Sequence, residues 1–216
     1  MRLALLAALL ALAGCAPETL RDFALGVLAP VGPQVEAAAR AAGIVIRAAL
    51  PEGADVYSAG VASTGTAGPA EERMADWAHL RLLVARAAVQ GRTGVFFTLP
   101  TLLNGREMTA YPEEWQALAR VARETAAIRP VLRSGVEAAV PFTVPQGVSA
   151  RAWRFQARDY VLLVNETSSA APIGEGSLKP WRALFEVRAD ARELLDICPG
   201  GRCLPAGRVL WLEGRF

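Results

Sequence analysis

Partway along the chain the pattern of apolar residues changes, and that change limits the fold more than any single motif. Up to residue 133, short apolar runs alternate with stretches of helical period; past residue 135 the apolar runs continue without helices between them. Alternating strands and helices favour a parallel sheet with helical crossovers, and strands in succession favour antiparallel pairing. In the first part, residues 23–28, 44–46 and 55–61 read as strands. Residues 33–42 read as a short helix with Pro33 near its start and Gly43 at its end. The best helix spans 71–90: Trp77, Leu80, Val84 and Ala87 recur at helical spacing, Glu71 and Glu72 suit its amino end, and Gly91 stops it. A buried strand over 94–99 closes at Pro100 and leads into a polar loop, 101–111. A second helix spans 112–128, with Trp115, Leu118, Ala122 and Thr125 on one face and Pro130 as its terminator. In the second part, strands are predicted at 136–144, 148–156, 160–165, 183–188 and 208–212, with turns at 145–147 and at Arg158-Asp159 and a loop over 166–180. The boundary falls near Arg133-Ser134-Gly135. The expected fold is an α/β unit over 23–133 followed by an antiparallel β-sandwich over 134–216.

The amino-terminal residues carry an address. Arg2 supplies one positive charge, residues 3–13 are all Leu or Ala, and Leu12-Ala13-Gly14-Cys15 sets a cysteine after small residues. This is the layout of a secretory signal. The apolar run is too short for a bilayer core of about 30 Å, which takes about 20 residues. With its terminal cysteine, the stretch resembles a bacterial lipoprotein signal with residues 12–15 as the lipobox. That resemblance implies cleavage before Cys15, a diacylglycerol thioether on its sulfur and an acylated new amino terminus. Residues 1–14 would then be the signal and 15–22 a lipidated tether. Ala16, where an aspartate would favour the inner membrane, points to the outer membrane of a two-membrane host. The expected location is the extracytoplasmic face of the cell envelope, with the membrane as a partner through Cys15.

The formal net charge is +2, with no block of Lys or Arg, so a nucleic-acid partner is not expected. Of the three cysteines, Cys198 and Cys203 flank Pro199-Gly200-Gly201-Arg202. In an oxidising compartment such a pair forms a disulfide across a turn. The competing reading is half of a metal site, lacking a second pair, with the single histidine, His79, distant in sequence. No metal or other cofactor is expected.

Residues 87–97 bring a helix end through Gly91-Arg92-Thr93-Gly94 into Val95-Phe96-Phe97. Glu114-Trp115-Gln116-Ala117-Leu118 leads to Ile128-Arg129-Pro130-Val131-Leu132, and Val148-Ser149-Ala150-Arg151 precedes Tyr160-Val161-Leu162-Leu163-Val164-Asn165. In this order the segments resemble the last part of the (β/α)8 barrel, and the following β-sandwich, of glycoside hydrolases of the beta-galactosidase and alpha-amylase kind. The resemblance covers about two thirds of the chain and implies carbohydrate as the ligand. It departs from the family in length. Eight βα units need about 200 residues or more, and from Cys15 to Arg133 there are about 120, room for a partial barrel. The matched segment begins after the strands that carry the family's catalytic carboxylates, so none is carried over.

Glycoside hydrolysis needs two carboxyls about 5–9.5 Å apart, so substitutes for that pair belong at strand ends. Asp55 opens a strand and Glu107 lies in the loop after residues 94–99. Asn104, Arg106 and Tyr111 in that loop are candidates for ligand contact. Trp115, Trp153, Trp181 and Trp211 are of a type that stacks on sugar rings, although their periodicity suits a core. His79 reads as structural, and Ser58, Ser63 and Ser149 lack a nucleophile-elbow setting. The leading expectation is a non-catalytic glycan-binding or envelope interaction protein derived from a glycoside hydrolase. The alternatives are an active glycosidase with a reduced or oligomer-completed barrel, and a decayed product that folds poorly. A partial barrel leaves open sheet edges, which the chain's own helices or a homodimer would cover.

Overall fold

The structure, a computed structural model, describes residues 23–29, 31–62, 72–74, 76–99, 112–174, 180–185, 196–198 and 201–214. The first region is a four-stranded parallel sheet built from β1 (Ala24–Leu28), β2 (Val45–Arg47), β3 (Asp55–Ser58) and β6 (Gly94–Thr98), in the order β2-β1-β6-β3. A short antiparallel pair, β4 (Gly60–Ala62) and β5 (Glu72–Met74), lies between β3 and the helix that follows. This strand order corrects the expectation of a partial barrel. In a barrel each strand pairs with the next, whereas here β2 and β3 lie at opposite edges and β1 pairs directly with β6.

Two helices cover one face of this sheet. Helix α1 (Pro33–Ala41) connects β1 to β2 and buries Val35 and Ala39, while α2 (Trp77–Val89) leads into β6. Both join one core with Leu25, Val27, Val95 and Phe97. Helix α2 starts at Trp77, after an Asp76 cap, later than the expected residue 71. The Asp76 carboxylate accepts the backbone N–H of His79 at 2.8 Å, a side-chain cap, and the expected first turn is spent on β5.

The third helix, α3 (Pro112–Ser134), runs through Pro130 instead of ending there. A proline in a helix removes one N–H and orphans the carbonyl four residues earlier. Ala126 and Pro130 both lie on the solvent side of the helix, so that carbonyl is not orphaned in the core, while Ile128 and Val131 remain in the core on the other side. The interior contacts therefore carry the helix past its breaker. Although 23 residues long, α3 is not apolar enough to cross a membrane, and neither is any other described helix.

Beyond residue 135 the sheets are antiparallel. Strands β7 (Val136–Ala138), β8 (Val148–Phe155), β9 (Arg158–Asn165), β11 (Trp181–Ala183) and β14 (Val209–Gly214) form a five-stranded sheet ordered β11-β14-β9-β8-β7. A three-stranded sheet, β10-β13-β12, is built from β10 (Ala171–Ile173), β12 (Asp196–Cys198) and β13 (Gly201–Leu204). The turn between β8 and β9 lies at Gln156-Ala157, with φ of 51° and 57°, while Arg158 and Asp159 belong to the strand. Positive φ at both central positions is the geometry of a tight hairpin turn. Without Gly or Asn there, the sequence hides it.

The centre of the five-stranded sheet, in β9 and β14, is buried on both faces. Trp153, Leu162, Val164, Val209 and Trp211 point into the core that holds α2 and the parallel sheet. The alternate residues Ala152, Val161, Leu163, Leu210 and Leu212 join Ile173 and Leu204 of the three-stranded sheet. The principal core therefore crosses the sequence boundary near residue 134. Helix α2 lies between the two large sheets, with Leu80, Arg81, Leu83, Val84, Ala85, Ala87 and Ala88 all buried, which is why it is apolar around most of its circumference. Arg151 ties β8 to the end of α2, donating to the Ala88 carbonyl at 3.2 Å and to Glu137 at 2.8 Å. A guanidinium at a helix carboxyl end complements the dipole there.

Candidate ligand pocket

The opposite face of the parallel sheet is built differently. By register, Ala24, Gly26 and Leu28 of β1, Val45 and Arg47 of β2, Gly94, Phe96 and Thr98 of β6, and Val56 and Ser58 of β3 share it. Among the described residues no helix packs across it. The chain must pass from β2 at one edge to β3 at the other within residues 48–54. Three strand spacings are about 14 Å. Seven residues span about 23 Å when extended but only about 10 Å as a helix, so this crossover has to run without a helix. Its ends are fixed: the Arg47 carbonyl accepts Ala29 N–H at 2.8 Å, and the carbonyls of Glu52 and Gly53 accept the hydroxyl and N–H of Thr93, each at 3.0 Å.

Under this crossover is a cavity of about 360 Å³. Its floor is Phe96, only 1% exposed, whose ring lies across β1. Gly26 permits this, because a Cβ there would stand 2.2 Å from the Phe96 ring and 2.7 Å from the Val45 carbonyl oxygen. Phe23, Ala24, Val45 and Pro51 complete the apolar lining. The polar lining is Arg47 from β2, Glu52 from the crossover, Thr93 from the approach to β6 and Arg129 from α3. Arg129 Nε is sealed from solvent and makes no hydrogen bond, and neither Arg47 nor Arg129 has an ion-pair partner among the described residues. A buried guanidinium N–H without an acceptor is costly unless something else supplies one.

A second hollow, of about 500 Å³, lies beside Trp77, Gln116, Ala117, Arg120 and Arg123. Here the aromatic face is already taken. The Arg120 guanidinium lies 3.7 Å from the Trp77 ring centroid, and the Trp77 indole N–H donates to Glu124 at 3.1 Å. Glu124 also pairs with Arg81 at 3.1 Å and with Arg120 at 3.4 Å. This network clamps α2 to α3.

Asp55 lies on the helix face of the sheet, away from the cavity. It pairs with Arg92 at 3.2 Å and accepts the Tyr57 hydroxyl at 3.3 Å. Burial, and next the charge of Asp55, raise the Tyr57 pKa above its ordinary value, against the lowering effect of Arg86. Arg86 in turn pairs with Glu166 at 3.0 Å. Cys15, Ser63, Asn104, Arg106, Glu107 and Tyr111 lie outside the described residues. Trp153, Trp181 and Trp211 are 3–4% exposed and closed to a ligand, and Trp115 packs half-buried on the core. The rings of Trp153 and Trp211 stack at 5.6 Å. His79 is exposed in the first turn of α2, Ser58 and Ser149 are exposed on strands, and Cys203 is buried on β13.

The pocket residues Arg47, Glu52, Phe96 and Arg129 escaped the sequence reading, since none belongs to a motif. One signal was present: Gly26 sits alone inside a strand pattern, which marks close approach of another group.

No protein-family model and no curated protein sequence matches the chain. Among solved structures it is similar to an alpha-amylase from Geobacillus thermoleovorans complexed with acarbose, at 17% identity over 65% of this chain and 34% of that one, with a TM-score of 0.39. It is also similar to a GH27 beta-L-arabinopyranosidase from Geobacillus stearothermophilus, at 10% identity over 84% of this chain and 41% of that one, TM-score 0.40. A third likeness is to a GH30 endoxylanase from Clostridium papyrosolvens, at 13% identity over 93% of this chain and 53% of that one, TM-score 0.34. The structural neighbours are thus glycoside hydrolases, matched in part and at low identity, and the chain spans about a third of the length of the amylase.

Proposed function

We propose that this chain is a lipid-anchored protein of the cell envelope that binds glycan in the pocket beside Gly26 without hydrolysing it. The observation that supports it is the pocket itself: an apolar floor with two guanidiniums and a carboxylate around it, the mixture of apolar body and few polar groups that small-ligand sites use. The non-catalytic part of the reading is supported by Asp55, which is engaged by Arg92 and Tyr57 on the far side of the sheet. The anchor rests on residues 12–15, with 15–22 as the tether to Phe23 at the pocket wall. The two antiparallel sheets are read as a small sandwich, supported by their shared apolar layer. Cys198 and Cys203 are read as its disulfide. That reading is supported by the register, which sets Cys198 opposite Gly201, two residues from Cys203.

Two measurements test this. Labelled palmitate should enter the full chain in a bacterial host and be lost in Cys15→Ser; labelling of that variant at the same level removes the anchor. A thermal-shift screen of the detergent-solubilised chain against envelope and plant oligosaccharides should find one stabilising class. A ligand at 100 times its dissociation constant adds about 2.7 kcal/mol. A cooperative melt that no sugar moves would refute glycan binding, and release of reducing sugar that Asp55→Asn abolishes would refute the non-catalytic reading.

A further inference from the structure

The charge inventory of the pocket narrows the ligand. Arg47 and Arg129 bring two positive charges that no carboxylate of the described chain pairs with, and Arg129 Nε is a sealed donor lacking an acceptor. A guanidinium fork matches a planar oxyanion, to which it donates two parallel N–H bonds. The same cavity holds Glu52, whose carboxylate forms no ion pair among the described residues. An ionised carboxylate only accepts hydrogen bonds, so it needs donors such as sugar hydroxyls. It also repels a second negative charge, which disfavours a phosphate dianion more than a single carboxylate. Phe96 and Val45 offer apolar surface to C–H groups.

We infer that the pocket takes a carboxylate-bearing sugar of the uronic-acid type, its carboxylate on Arg47 and Arg129 and its hydroxyls toward Glu52. This rests on the glycan reading and deepens it by naming the sugar class. A cavity of about 360 Å³ is at the small end of ligand sites, which run from about 300 to 1,000 Å³, so a short terminal unit fits better than a long chain.

The test is titration calorimetry of the full chain in detergent with galacturonate and glucuronate oligomers, neutral galactose and glucose oligomers of the same length, and glucose 6-phosphate. The expected result is uronate binding at least about tenfold tighter than neutral binding, a gap of about 1.4 kcal/mol. Arg129→Gln and Arg47→Gln should each erase that preference. Arg129→Lys should recover only part of it, because an ammonium lacks the fork. Melting curves of each variant establish that it is folded, and Arg47, exposed at the end of β2, serves if Arg129→Gln does not fold. Equal affinity for neutral and acidic sugars, tighter binding of glucose 6-phosphate, or an unchanged preference in both glutamine variants overturns the inference while glycan binding stands. If no sugar binds at all, the inference and the glycan reading fail together.

Discussion

In the parallel sheet Val56 stands 44% exposed, whereas in the five-stranded antiparallel sheet Val161, Leu162, Leu163 and Val164 are all sealed from solvent. The usual assignment is the reverse: parallel sheets are covered on both faces by their crossover helices, and antiparallel sheets often leave one face to water. Here both helical crossovers, α1 and α2, fall on one side of the parallel sheet, and the third connection is too short for a helix. Its other face is left to a thin strap of chain with a cavity beneath it. The antiparallel sheet lies between α2 on one side and the three-stranded sheet on the other. Burial of a sheet face is thus set by the length and side of the connections, and the less covered face is the one with room for a ligand.

Four substitutions test this contrast, from the largest effect to the smallest. Trp211 faces the shared core and stacks on Trp153; Trp211→Ala should lower stability by about 3–5 kcal/mol, read from denaturant melts. A loss under 1 kcal/mol would mean that the two regions do not depend on one core. Asn165 is buried, donates to the carbonyls of Ser169, Leu204 and Pro205 at 2.9–3.0 Å, and accepts from Thr167. Asn165→Ala leaves buried carbonyls unpaired and should cost about 1–3 kcal/mol; hydrogen exchange should quicken first around residues 202–204, where β13 meets this network. Ala157→Gly should stabilise by about 1 kcal/mol, because an L-residue in left-handed backbone is strained there. No gain in melting temperature would place the strain elsewhere. Val56→Thr, on the thinly covered face, should change stability by no more than about 0.5 kcal/mol. A loss comparable to that of Trp211→Ala would show that this face is covered after all.

Legibility followed the same division. The strands at 94–98 and 148–155 and the alternation of helix and strand before residue 133 could be read directly, because each buries a face with a local period. The hairpin turn at Gln156-Ala157 and the helix through Pro130 could not, since in both places pairing or packing overrides the local preference. Asp55 reads from the sequence as a carboxylate at a strand end, and its engagement by Arg92, from a distant turn, exists only in three dimensions. The pocket shows the limit most clearly: Arg47, Glu52, Phe96 and Arg129 are ordinary residues spread over more than eighty positions.

By itself the sequence determined where helices end and strands alone begin, and which stretches are apolar on both sides. Those features are local, fixed by side-chain period and turn chemistry. Only the tertiary structure decided that β1 pairs with β6 rather than closing an arc, that α2 lies between two sheets, and that two guanidiniums and the Glu52 carboxylate share a cavity. Strand order and the meeting of distant side chains depend on which faces bury together, and that free energy belongs to the packed whole rather than to any segment of it.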